Sequence, residues 1–384
     1  MRRIGIICEY NPFHNGHLYH INKIKEMFPD SMIILVMSGN FTQRGEVSLF
    51  NKWDKTKLAL TYGINLVVEL PYCFATQSAD IFAHASIQLL SSLHIDTLVF
   101  GSETNDIKKL TLLAETQIKN KEYHKLVQKH LEKGINYPTA LSKALFEITG
   151  KRVDKPNDIL GISYIREILL QNTNIEPICI KRNNNYNSIE LNDSMTSASS
   201  IRYALSHGES VHAYVPKKTE HYLQKKLHFT NDYFSLLKFI ILTHMDELDK
   251  YQTVDEGIEN RIKKYIVKAV SLDDLILKIK TKRYTYNKLS RMFTHILCNF
   301  TKEEAKQFKD IEYIRILGFD FIGKQYLNQI KKELDIPLVT NFSSIKSNML
   351  DLEYRTTCVY ASILDEQDKI RMIESEYKNT PIMK

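Results

Sequence analysis

The chain has 384 residues, of which 52 are Lys or Arg and 45 are Asp or Glu, so the net charge is +7. This length exceeds what one hydrophobic core usually serves, and a hydrophobic share of 43% excludes a disordered chain. The longest apolar run, Ile33 to Met37, is far too short to span a membrane, and no apolar signal segment precedes it. The five cysteines are scattered without metal-ligand spacing, which is typical of the reducing cytoplasm, and we expect a cytoplasmic protein with no membrane partner.

Strand and helix signals alternate along the first half, which predicts an α/β fold with a Rossmann-like parallel five-stranded sheet. The predicted strands are Ile4–Glu9, Met32–Ser38, Leu66–Leu70, Thr97–Phe100 and Glu176–Arg182. Helices are predicted at about 17–27, 53–62 and 76–93, within 106–149, and at 156–170 and 197–205. After about residue 210 strand signals thin out and helical periodicity dominates. We therefore expect two domains, residues 1–210 with the sheet and residues 211–384, which are mainly α-helical.

A turn with two histidines around a glycine, His14-Asn15-Gly16-His17, follows the first strand and leads at once into a helix. In α/β sheets, ligands bind outside the carboxyl ends of the strands, where helix N-termini attract anions. Gly16 lets a phosphate approach the backbone, and imidazole N–H groups can stabilise charge on phosphate oxygens. The turn therefore predicts a nucleotide site, although a single histidine of this kind would more often be a structural residue.

Further polar residues stand at later strand ends. Gly101 follows the fourth strand, where a glycine fits either an ordinary turn or a backbone that passes under a base or ribose. Arg182 ends the fifth strand and can fork onto phosphate oxygens. Ser199 and Arg202 open the next helix with a hydroxyl and a cation, a start that suits terminal phosphates but also resembles common helix caps.

These strings together resemble the HIGH nucleotidyltransferase superfamily, and more narrowly the tRNA-Met cytidine acetate ligases. The first 200 residues contain, in order, segments similar to that family, and two more follow in the second half. They are EYNPFHNGH (9–17), SGNFTQRG (38–45), VELP (68–71), ATQS (75–78), FGSE (100–103), PNDILG (156–161), IKR (180–182), KRYT (282–285) and LSRM (289–292). The polar stretch Asn183–Ser194 replaces a glycine-containing stretch of the family, and we expect it to form a loop beside the site.

The resemblance implies a two-step reaction. Acetate attacks the α-phosphorus of ATP to give acetyl-adenylate, and the acetyl group then passes to N4 of the wobble cytidine in elongator tRNA-Met. His14 and His17 would be the catalytic residues, and Mg²⁺ would arrive with ATP, held by phosphate oxygens and water. The residues implied to contact ATP are Ile7, Cys8, Glu9, Tyr10, Asn11, Pro12, Phe13, His14, Asn15, Gly16, His17, Leu18, Tyr19, His20, Gly101, Asn157 and Arg182, to which the helix start adds Ser199 and Arg202.

Positive charge concentrates in residues 261–291, where ten Lys and Arg residues face two Asp and three interleaved Tyr. Cationic surfaces with aromatic faces bind RNA loops, but a solvated helix face would have the same composition. With the resemblance, this segment is expected to bind the tRNA backbone through Lys282, Arg283, Lys288 and Arg291.

Other interpretations of the same residues stay open at this stage. The chain could adenylylate a small phosphorylated metabolite, or it could be a nucleotide-sensing RNA-binding protein without turnover. A zinc site at His14, His17 and His20 lacks further ligands at suitable spacing, so we expect no protein-bound metal. Tyr72, Phe74 and Phe82 could line an acetate pocket, but they fit the core better.

Overall fold

A computed structural model describes residues 1–182 and 196–384, so the predicted loop over 183–194 lies outside the described residues. The strands are β1 (Arg2–Cys8), β2 (Ser31–Ser38), β3 (Leu66–Leu70), β4 (Thr97–Ser102), β5 (Glu176–Lys181), β6 (Ile314–Phe319), β7 (Leu338–Val339) and β8 (Ile382–Met383). The helices are α1 (Asn15–Met27), α2 (Lys52–Thr61), α3 (Tyr72–Ala75), α4 (Ala79–Ser92), α5 (Ile107–Lys119), α6 (Lys121–Glu132), α7 (Tyr137–Thr149), α8 (Pro156–Leu170), α9 (Ala198–Ser206), α10 (Lys217–Leu223), α11 (Phe234–Thr243), α12 (Ile258–Ile266), α13 (Leu272–Ile279), α14 (Tyr286–Leu297), α15 (Lys302–Gln307), α16 (Phe321–Ile330), α17 (Asn348–Ala361) and α18 (Glu366–Lys378). In these two ranges, no helix combines the length and apolar character that a membrane span needs.

The predicted α/β fold is confirmed, and all five predicted strands are present. Strands β5, β4, β1, β2 and β3 lie side by side in that order, and every pairing among them is parallel. Alternate residues of β2 face two different cores, as the period of two along a strand requires. Ile33, Leu35 and Met37 pack with α1 and α2 on one face, while the residues between them pack with α4 and α8 on the other.

The strand count was wrong, because the sheet has eight strands within the described residues rather than five. Strand β6 pairs antiparallel with β3, and β7 and β8 both pair with β6. All three come from the C-terminal part of the chain, which is otherwise helical as expected. These strands are short, and the partner of β6 lies about 250 residues earlier, so no local pattern reveals the pairing. The division at residue 210 stays a prediction, and the sheet itself extends across it.

Buried charges join the C-terminal elements to the sheet. Lys52 of α2 lies 2.8 Å from Glu69 of β3 and 2.7 Å from Glu376 of α18. Arg315 of β6 completes a group of four charged side chains, because it lies 3.0 Å from Glu69 and 2.6 Å from Glu376. All four side chains are at least 96% buried. Because an unpaired charge is costly at this depth, each member depends on the others for its counter-charge.

Candidate active site

A cleft opens at the carboxyl edge of the sheet, where β1, β4 and β5 end and where α1, α8 and α9 begin. Counting its mouth, the cleft has a volume of about 1420 Å³. The predicted ATP-binding residues that line it come from all three strand ends and from all three helix starts. They are Ile7, Cys8, Glu9, Tyr10, Asn11, His14, Gly16, His17, Tyr19, His20, Gly101, Asn157, Arg182, Ser199 and Arg202.

The two histidines of the turn cap α1 for each other. The backbone N–H of Gly16 donates to Nδ1 of His14 at 3.0 Å, and the backbone N–H of His14 donates to Nδ1 of His17 at 3.2 Å. The ring centroids lie 3.8 Å apart. Because each Nδ1 accepts a backbone N–H, the proton of each neutral ring must be on Nε2. The cap therefore leaves both rings, which line the cleft, with Nε2–H as their remaining donor.

All three histidines of this segment are neutral near pH 7. Burial lowers the pKa of His14 to about 3, with further contributions from Arg182 and Arg202. Burial also lowers the pKa of His17 well below its usual value and that of His20 to about 4. The positive charge of the cleft therefore comes from its arginines and Lys181, and the imidazoles supply uncharged N–H donors.

Arg182 is held over Gly101 at the end of β4. Its Nη1 donates to Oδ1 of Asn157 at 3.1 Å. A Cβ on Gly101 would lie 3.0 Å from two carbons of the Arg182 side chain, so the glycine makes room for the arginine stem. Asn157 is fixed in turn, because its Nδ2 donates to Oε1 of Glu103 at 2.6 Å. These contacts direct a guanidinium and an amide into the cleft beside the N-terminus of α8.

Arg202 of α9 joins three parts of the opposite wall. Its guanidinium donates to the carbonyl of Asn11 at 2.8 Å, to Oε2 of Glu46 at 2.5 Å and to Oγ of Ser199 at 3.3 Å. The start of α9 follows the expected pattern, with Ser197 as its N-cap. The cleft is thus bounded by a cation on each side, Arg182 and Arg202.

Four residues of the predicted contact stretch do not line the cleft, namely Pro12, Phe13, Asn15 and Leu18. Phe13 is fully buried and stacks on Tyr62 with ring centroids 4.8 Å apart. Nδ2 of Asn15 donates to the carbonyl of Ala213 at 2.9 Å, which attaches the start of α1 to the chain after α9. Phe13 and Asn15 therefore hold the turn in shape from outside the cleft.

The chain is similar to known proteins over its whole length. The family model described as HIGH Nucleotidyl Transferase matches residues 1–376. A tRNA(Met) cytidine acetate ligase from Geobacillus sp. (strain WCH70) is 40% identical, with both chains fully covered. The chain belongs to the tRNA(Met) cytidine acetate ligase family. The chain is also similar to two crystal structures of Thermotoga maritima TmcAL. Each match covers 100% of this chain and 99% of the TmcAL chain. The apo form has a TM-score of 0.90 at 30% identity, and the form bound with alpha-thio ATP has 0.88 at 31%.

Membership in the cytidine acetate ligase family confirms the resemblance found in the sequence strings. Several residues that line the cleft had no role assigned from the sequence. Gln43, Arg44 and Glu46 reach the cleft from the loop after β2. The backbone N–H of Gln43 donates to Oε1 of Glu9 at 2.6 Å, and burial raises the pKa of that carboxyl. The matching string 38–45 was the signal that could have identified this loop. Lys181 and several aromatic and apolar side chains complete the lining, namely Phe82, Phe100, Pro156, Leu160, Tyr164, Ile180 and Ala198. Phe82, which was expected to fit the core better, is buried in the core and also lines the cleft. Tyr72 and Phe74, in contrast, are buried in the core.

Lys55 is another residue near the cleft whose role no sequence pattern indicated. Its Nζ donates to the carbonyls of Glu9, Ser38 and Gly39 at 3.0, 2.8 and 2.6 Å. The side chain is fully buried, and burial lowers its pKa to about 7. Lys55 therefore ties together the ends of β1 and β2, the two strands from which the cleft loops start.

The four residues predicted to bind tRNA lie outside the cleft, at and before α14. Lys282 and Arg283 are exposed in the turn before the helix, where Arg283 lies 3.6 Å from Glu256. Lys288 is half-buried, with its Nζ 3.9 Å from the centroid of the Tyr284 ring. Burial and nearby Arg44 lower the pKa of Arg291 to about 10.

Helix α14 packs directly on the loop that carries Arg44. Oγ of Ser290 and Oγ1 of Thr294 donate to the carbonyl of Gly45 at 3.0 and 2.6 Å. Gly45 has a φ of +78°, and a Cβ there would lie 2.4 Å from the backbone nitrogen of Arg291, so this approach needs a glycine. Through this contact, the basic segment 261–291 reaches the loop whose residues line the cleft.

Proposed function

We propose that this protein is an ATP-dependent ligase that activates acetate as acetyl-adenylate and transfers the acetyl group to N4 of the wobble cytidine of elongator tRNA(Met). The full-length similarity to proteins named tRNA(Met) cytidine acetate ligase supports the substrates. The similarity to TmcAL bound with alpha-thio ATP supports the nucleotide. The observation that carries the proposal is the reciprocal cap of His14 and His17, which presents two neutral N–H donors to one cleft.

The first step suits these donors. When an acetate oxygen attacks the α-phosphorus and pyrophosphate leaves, charge builds on the phosphoryl oxygens. Preorganised N–H groups stabilise that charge without having to reorganise, and loss of one such donor typically slows a reaction by about 100- to 1,000-fold. Arg182 and Arg202 add positive charge on either side of the triphosphate.

We expect Mg²⁺ to enter with ATP. Among residues 1–182 and 196–384, no group of three His, Cys, Asp or Glu side chains could hold a metal ion. The arginines and imidazoles of the cleft are donors that suit phosphate oxygens. The ion would therefore be bound by phosphate oxygens and water, and it would neutralise part of the triphosphate charge.

The second step needs a tRNA surface, and we assign it to the exposed basic residues Lys282 and Arg283, with Lys288 and Arg291 nearer the cleft. Contact between α14 and the loop at Gly45 supports this assignment, because it brings the basic segment next to the nucleotide cleft. All five cysteines lie in the described ranges as free thiols, which fits a reaction in the cytoplasm.

Mass spectrometry of tRNA(Met) tests the proposal. After incubation with the protein, ATP and acetate, the wobble cytidine should gain the mass of one acetyl group, and omission of any one component should abolish the gain. A tRNA acetylated without ATP would contradict the adenylate, and unmodified tRNA in the complete mixture would contradict the function.

A further inference from the structure

A second cavity adjoins the nucleotide cleft. It has a volume of about 820 Å³ and lies between α9, α14 and the chain at 228–231. Three residues line both spaces, namely Glu46, Ser199 and Arg202. The Glu46–Arg202 ion pair is therefore a wall common to the two spaces.

The second cavity has the features of a base pocket. Tyr203, Phe229 and Tyr286 line it, and unstacked bases bind to aromatic faces of this kind. Tyr203 and Tyr286 are exposed, at 46% and 36%, so their rings are available from outside. The hydroxyl of Tyr286 donates to Oδ1 of Asp273, which holds this ring at the start of α14.

Glu46 is the one acidic side chain among the described residues that lines both cavities. Its Oε2 accepts from Arg202 at 2.5 Å, and its side chain is 28% exposed. This bond uses Oε2 and leaves Oε1 as the second acceptor of the carboxylate. A carboxylate oxygen is the group that best accepts a hydrogen bond from the exocyclic amine of cytosine.

We propose that the second cavity receives the acceptor cytosine, an inference that rests on the proposed function. Glu46 is the general base that accepts a proton from the N4 amine of this cytosine. The N4 nitrogen attacks the carbonyl carbon of acetyl-adenylate, and the bond from that carbon to the phosphate oxygen breaks. The electron pair leaves with AMP, and the N4 proton passes to the Glu46 carboxylate. Arg202, which contacts both this carboxylate and the cleft wall, holds the base at the boundary between the two substrates.

Glu46→Gln separates this role from ATP binding, because the amide oxygen still accepts from Arg202 but cannot take up a proton. We expect acetate-dependent ATP–pyrophosphate exchange to be affected far less than transfer of the acetyl group to tRNA. Single-turnover transfer from preformed acetyl-adenylate to tRNA(Met) should fall by about 100-fold or more, the usual effect of losing a general base. Glu304→Gln is the matched control, since Glu304 pairs with Arg355 at 2.8 Å with similar exposure outside both cavities, and it should change neither rate.

Tyr286 tests the base pocket independently. Tyr286→Ala should weaken tRNA use by roughly tenfold or more through loss of a stacking ring, while Tyr286→Phe, which keeps the ring, should lose much less. Normal transfer by Glu46→Gln, or equal loss of both half-reactions, would overturn the assignment of Glu46. Normal tRNA use by Tyr286→Ala would overturn the pocket. Failure of the unmodified protein to acetylate tRNA would instead reject the proposed function.

Discussion

His17 combines two roles that substitutions can separate. Its Nδ1 accepts the backbone N–H of His14 at 3.2 Å, while its Nε2–H remains as a donor in the cleft. His17→Ala removes both. Loss of the cap should lower the free energy of unfolding by about 1 kcal/mol. Loss of the donor should raise the barrier to adenylation by about 3 kcal/mol, a rate decrease of roughly 100-fold.

His17→Gln should restore only the first role. Position 17 is the third residue of α1, where a glutamine can reach back to the backbone N–H of the capping residue. When its Oε1 accepts this N–H, its NH₂ group is attached to the same carbon and cannot occupy the position of the imidazole Nε2–H. We therefore expect normal stability in urea unfolding but acetate-dependent ATP–pyrophosphate exchange still reduced by about 100-fold at saturating ATP.

A control addresses the loss of a similar cap outside the cleft, together with the ion pair to Arg355. Glu304 is the third residue of α15 and forms the same reciprocal cap with Thr301. Glu304→Ala should lower stability by a similar amount and leave the exchange rate unchanged. If His17→Gln restored exchange together with stability, His17 would be a capping residue only, and the argument for its Nε2–H donor would be wrong.

Three further outcomes are expected. Burial lowers the pKa of His295 to about 3, so protons bind the unfolded state more strongly. The associated stability falls as the pH drops through about 6.5, and this residue loses about 1 kcal/mol between pH 6.5 and pH 5.5. Urea unfolding at the two pH values measures this loss, and His295→Gln should reduce it. Glu376→Gln leaves the buried Lys52 and Arg315 with one carboxylate fewer and should lower the free energy of unfolding by about 3–5 kcal/mol. Glu374→Gln, which removes a surface ion pair, should lower it by less than about 1 kcal/mol. Lys282→Glu with Arg283→Glu should weaken tRNA binding and lower its salt slope by about 0.7–0.9 per lost phosphate contact, without affecting ATP–pyrophosphate exchange; unchanged affinity would remove these residues from the tRNA surface.

Local patterns were sufficient for the parts of the site that lie on continuous chain. The strand–turn–helix at His14 to His17 is visible in the sequence because a strand, a glycine and a helix start follow one another directly. Its reciprocal cap could not be read in the same way, since a histidine is not the usual residue at either capping position. The tautomer, and with it the direction of both donors, follows only from that hydrogen-bond geometry.

The sequence alone determined the parallel strands, the double-histidine turn and the family, because each depends on short-range periodicity or on strings of adjacent residues. Only the tertiary structure decided that β6 joins β3 from about 250 residues away, that Glu46 lines two cavities, and that buried Lys55 joins the ends of two strands. The physical reason is that these features depend on long-range packing. A lysine or glutamate that is taken out of water needs a hydrogen-bond or ion-pair partner. The tertiary fold, not the neighbouring sequence, determines which distant residue becomes that partner.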